Sequence, residues 1–167
     1  MALIVEDGTG KSNAESYISV ADADTYHSNL GNTSWAALET GPKEILLRKA
    51  TNYMIQVYRD LWNGLRSVSG QALDWPRSGV VVDDFVAIDI DEMPNEILNA
   101  CAELALKSNA SELLADKTRG VKRKKIGPLD TTFDTSSPEG KRYSSVDAML
   151  NPYIRFSKNS IPLILNG

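Results

Sequence analysis

Between Lys43 and Trp62 the apolar residues Leu46, Ala50, Tyr53, Met54, Val57, Tyr58 and Leu61 recur at steps of three and four, while Lys43, Glu44, Lys49, Asn52, Arg59 and Asp60 take other positions. That period matches one face of an α-helix, so the spacing predicts a long amphipathic helix with one side in a core. An apolar stripe of this kind has to be covered by another element. Pro94 opens a second helix, expected to run to about Leu114, that offers Ile97, Leu98, Cys101, Leu104 and Ala105. Two shorter helices precede the first long one. Ser19 reads as an N-cap with Asp22 in the place of a capping-box acid and Gly31 as a stop, and Asn32-Thr33-Ser34 leads into a single turn at Trp35-Ala36-Ala37-Leu38.

The expected fold class is therefore mainly α: a small helical bundle of two long helices plus short helices, with a long irregular loop and an extended C-terminal arm. Residues 1–117 are expected to form the bundle, with the loop at 63–93, where Gly64, Gly70, Trp75-Pro76-Arg77-Ser78-Gly79 and a run of acids break all periodicity. Residues 118–167 are expected to form the arm. It starts with the basic, extended stretch Val121 to Pro128, passes a capped turn at Ser144 to Leu150 and ends without a period from Tyr153. Residues 2–5 read as a short strand feeding a turn.

At 167 residues the chain is long enough for one core. A formal charge of -4 leaves no global positive field with which to gather nucleic acid, so any such contact must be local. Cys101, the only cysteine, has no second thiol for a disulfide or a zinc site, which fits a reducing compartment. Nothing at the start of the chain reads as a signal peptide or a membrane span, and synthesis in the cytoplasm is expected.

Candidate chemistry is sparse. Gly10-Lys11-Ser12 resembles the end of a phosphate-binding loop, but Val5 stands where the motif needs its first glycine, so a plain turn is expected. His27, the only histidine, has no sequence partner for a nucleophilic triad and reads as a surface or half-buried side chain. Cys101 reads as core packing. Asp83, Asp84, Asp89, Asp91 and Glu92 lack the glycine and terminal glutamate of a calcium loop and read as a solvated acidic loop. No catalytic residue, metal ligand or cofactor is expected. The basic run Lys122-Arg123-Lys124-Lys125 is the best phosphate-binding candidate, with Tyr143, Tyr153 and Phe156 as stacking faces for unpaired bases. The same cations would equally pair with the acidic loop 83–92 of a neighbouring copy.

Several blocks in order carry a family resemblance: Leu3 to Gly10 with Asn13 to Val20 and Ala23-Asp24, Leu46 to Met54, Gln71 to Gly79, and Pro94 to Ile97 leading into Ala102 to Ala105. The chain resembles the small head-to-tail connector (adaptor, or head-completion) proteins of tailed bacteriophages, including the group often labelled DnaT-like single-stranded DNA-binding protein. The resemblance implies a structural, non-enzymatic protein of the virion neck. It would form a ring, usually of twelve copies, beneath the portal protein, dock a tail, stopper or tail-terminator protein, and let genomic DNA pass through its channel without specific binding. The interface expected from it is the arm, with Tyr153, Ile154, Phe156, Ile161, Leu163 and Ile164 on the portal or a neighbouring subunit. The alternative is a single-stranded DNA-binding replication accessory protein.

Overall fold

The computed structural model describes residues 2–114, 123–126, 129–132 and 143–155, with 123–126, 129–132 and Asp84 described through their backbone alone. Among these residues the fold is mainly α. Helices α1 (Val20–Asn29), α2 (Thr33–Ala36), α3 (Thr40–Tyr58), α4 (Asn95–Ala110) and α5 (Ser144–Leu150) are accompanied by three two-stranded antiparallel sheets. These pair β1 (Leu65–Arg66) with β2 (Arg77–Ser78), β3 (Val81–Val82) with β4 (Val86–Ala87), and β5 (Arg123–Ile126) with β6 (Leu129–Thr132).

The two long helices pack against each other and form the centre of the core. From α3 come Leu46, Leu47, Ala50, Thr51, Tyr53, Met54 and Tyr58, and from α4 Ile97, Ala100, Cys101, Ala102, Leu104 and Ala105, all buried. The stripe that spacing predicts is thus present, although α3 begins at Thr40 and ends at Tyr58. Leu61, outside the helix, is exposed. Lys43, expected on a polar face, is buried: its ammonium pairs with Asp24 at 3.0 Å and sits 5.7 Å from the Trp35 ring centre. Ser19 caps α1 as expected, its hydroxyl accepting from Asp22 N. Residues 2–5 form no named strand. They make one parallel bridge, Val5 with Ser16.

The boundary expected at 117 does not hold residues 143–155 away from the bundle. Helix α5 packs on α4, and Val146, Leu150 and Tyr153 are buried in the same core. Backbone bonds from Asn63 N to Tyr153 O and from Arg155 N to Leu61 O fasten this segment to the end of α3. A chain of ring contacts does the same through side chains. Tyr143, Tyr53, Tyr58, Trp62, Trp75 and Tyr153 follow one another with centroid separations of 5.5, 6.3, 5.8, 5.8 and 5.6 Å. All of these pairs but the tilted Tyr58–Trp62 are edge-to-face, a geometry that adds to area burial.

His27 is also a core residue, not the surface or half-buried side chain expected. Its Nε2 meets Ala102 O at 3.1 Å, its Nδ1 meets Asn32 Nδ2 at 3.0 Å, and its ring packs 4.6 Å from that of Trp35. These partners suit a neutral ring donating from Nε2, and burial lowers its pKa. Cys101 lies in the core as expected, and burial pushes its thiol up to about 11.

Candidate nucleic-acid and partner interface

The glycine-rich loop is a closed anion site whose anion is its own. The buried Glu6 carboxylate accepts from Asp7 N (3.2 Å), Gly8 N (3.1 Å) and Gly10 N (2.8 Å) at Oε1, and from Lys11 N (2.9 Å) at Oε2. Lys11, the would-be phosphate lysine, donates to Val5 O and pairs with Asp7, each at 2.8 Å. Backbone amides that would cradle a phosphate therefore already hold a carboxylate. Gly8 adopts φ 95°, and a Cβ there would collide with the Asp91 carbonyl oxygen. The turn is thus pressed against the acidic end of the 63–93 excursion.

That excursion is ordered by a second buried acid. Asp74 Oδ1 accepts from Arg59 Nε at 3.1 Å and Arg66 NH2 at 2.9 Å, and its backbone N–H donates to Tyr17 Oη at 3.1 Å. Arg77 spans the strands, donating to Asn63 O, Asp74 O and Gly64 O at 2.6, 3.0 and 2.8 Å. The irregular loop of the sequence is therefore tied to the end of α3 and to itself by charge-assisted bonds.

Its outer surface is apolar and acidic. Leu65, Val68, Val81, Phe85, Val86 and Ile90 are exposed, Phe85 to 94%. Phe85 also has φ 61°, a left-handed conformation that bulky side chains seldom adopt. Asp83, Asp89, Asp91 and Glu92 are exposed among them, and no Lys or Arg occurs from 78 to 106. Among the described residues no group of His, Cys, Asp and Glu has metal-holding geometry, and no helix is long and apolar enough to cross a membrane.

The predicted interface residues divide. Arg123, Lys124 and Lys125 lie along β5, opposite Thr132, Thr131 and Asp130 of β6, so the basic run sits on a hairpin. Lys122, Phe156, Ile161, Leu163 and Ile164 lie outside the described residues. Tyr143 is half-buried, with its ring edge-on to that of Tyr53. Tyr153, expected on the docking arm or under a base, is buried against Trp75 and donates to Glu96 Oε2 at 2.8 Å. Ile154 is half-buried and bridges to Trp62. Tyr153 is unavailable for stacking because its ring already serves the core.

Sequence reasoning singled out neither Glu6 nor Phe85. An acid two residues before a Gly-x-Gly turn is a usable signal for the first. Nothing in the valine and aspartate run marks Phe85, whose exposure follows from hairpin geometry.

A protein-family model described as "Putative DnaT-like ssDNA binding protein" matches residues 1–165. No curated protein and no solved structure matches the chain.

Proposed function

Because the chain belongs to the DnaT-like ssDNA binding protein family, we propose that it binds single-stranded DNA as a non-enzymatic accessory protein, through phosphate contacts of Lys122, Arg123, Lys124 and Lys125. The observation that carries this reading is the run of four cations, three of them on strand β5, in a chain of net charge -4. With Tyr153 committed to the core, affinity rests on phosphates more than on base stacking, so it is sequence-tolerant and salt-sensitive. Four phosphate contacts on a single strand give a slope of log K against log salt of about -3 and a loss of roughly 50-fold between about 50 and 200 mM salt. A fluorescence titration with a labelled oligonucleotide measures this. No uptake at low salt, or uptake unchanged in Lys124→Glu/Lys125→Glu, refutes it.

A second reading follows from the apolar, acidic surface of the 63–93 excursion, which suits a protein partner and repels a polyanion. In this reading the chain is a ring adaptor of a tailed-phage neck, seated beneath a portal protein with an acidic wall past which DNA slides. Electron microscopy of the protein with a portal distinguishes the two: a ring on the portal without oligonucleotide uptake favours the adaptor.

A further inference from the structure

We infer that Phe85 and the guanidiniums of Arg155, Arg66 and Arg59 form a second contact site for single-stranded DNA, with Phe85 as a stacking face for one base and the arginines as phosphate donors. The inference rests on the DNA reading for its ligand but uses no residue of β5. Phe85 is 94% exposed, on a backbone of φ 61°. A strained conformation under a bare aromatic ring is the pattern of a ligand clamp. Beside the ring opens a groove of about 470 Å³ whose walls include Arg155, Asn63 and Asn151. Every base has a π-face, so one exposed ring with cations beside it suits an unpaired strand whatever its sequence.

Arginines continue from this groove along the excursion. Gly64 O accepts from Arg155 NH2 at 3.5 Å and from Arg77 NH2 at 2.8 Å. Arg77 also reaches Asp74 O at 3.0 Å, and Asp74 Oδ1 holds both Arg59 Nε and Arg66 NH2. Four guanidiniums are thus linked through Gly64 and Asp74. The Asp74 side chain is 1% exposed, whereas those of Arg59 and Arg66 are 46% and 37% exposed. Each of these two bonds the carboxylate through one nitrogen, so the rest of its fork is open to a phosphate, whose oxygens it matches. Against the four cations stand Asp74, Asp60 beside Arg59 in sequence, and Asp83 in the groove, so the patch stays cationic in a chain of net charge -4. Asp89, Asp91 and Glu92 do not line the groove. They repel a strand laid further along the hairpin, which confines it to the arginine side.

The test titrates the full chain with a labelled oligo-dT at several salt concentrations. Three guanidiniums added to the four cations of residues 122–125 steepen the slope of log K against log salt from about -3 to about -5. Phe85→Ala weakens binding at least about fivefold with the slope unchanged, as loss of one stacked base requires. Arg155→Gln makes the slope shallower by about 0.7. Both side chains are exposed, so neither change should move the melting temperature. Removing Arg59 or Arg66 would strand the buried Asp74, so these two are followed in the unaltered chain by phenylglyoxal modification read by mass spectrometry. Oligo-dT is expected to slow their reaction, and that of Arg155, severalfold. A slope near -3 that ignores Phe85 and Arg155, with protection confined to Arg123, overturns the inference and leaves the DNA reading standing. Uptake that survives Lys124→Glu/Lys125→Glu but is weakened by Phe85→Ala supports the inference and removes β5 from the DNA site. Absence of any uptake at low salt overturns both.

Discussion

Replacing Glu6 tests whether the glycine loop is a structural anion site. In Glu6→Ala the N–H groups of Gly8 and Gly10 lose their acceptor inside the protein, where water does not replace it, while those of Asp7 and Lys11 are partly accessible. Hydrogen bonds to a charged acceptor contribute about 1.5–3 kcal/mol each. The two buried bonds then set a loss of about 3–6 kcal/mol, which for a domain of this size lowers the melting temperature by roughly 10–20 °C. Glu6→Gln keeps an acceptor for the three amides on Oε1 but turns an NH2 toward Lys11 N, so it loses about 1–2 kcal/mol. Urea denaturation followed by tryptophan fluorescence reports both variants, since Trp75 and Trp62 are buried in the same core. A Glu6→Ala protein within about 1 kcal/mol of the parent would refute the reasoning, because unsatisfied buried amides cannot be so well tolerated.

Ending the chain at Pro152 removes Tyr153 from the end of the aromatic chain, and a loss of about 3–5 kcal/mol is expected from thermal melts, comparable to deleting a buried aromatic. Stability also responds to pH through His27, which is buried neutral with Asp24, Glu103 and Lys43 as charged neighbours. Its folded pKa lies below the ordinary 6.5, so its contribution is full above that value and is lost as the unfolded chain takes up the proton at lower pH. A His27→Gln variant should show a flatter stability profile between about pH 5 and 7 than the parent, measured by urea midpoints.

Much of the helical scaffold is legible in the sequence because each long helix carries a full apolar stripe and a local start signal. Leu46, Ala50, Tyr53 and Met54 lie on one side of α3, and Ile97, Cys101 and Leu104 on the facing side of α4, as spacing requires. The buried polar set is not legible, because Lys43, His27 and Asp74 are drawn inside by partners distant in sequence: Asp24, Ala102, and the pair Arg59 and Arg66. Periodicity measures the apolar share of a face and is silent on a charge that finds its counterion across the fold. The candidate interface was half legible. The basic run stands out as composition, whereas the burial of Tyr153 depends on a return to the core that no local pattern announces.

That return anchors the chain on both sides of residues 115–142. Tyr143 Oη donates to Leu113 O at 3.5 Å, and α5 lies on α4, so Leu113 and Tyr143 sit side by side on the body. The β5–β6 pair lies in sequence between these two anchored positions. Doubling the length of such a loop costs only about 0.6 kcal/mol of closure entropy. The number of residues between Leu113 and Tyr143 can therefore change at little cost to the stability of the helical body.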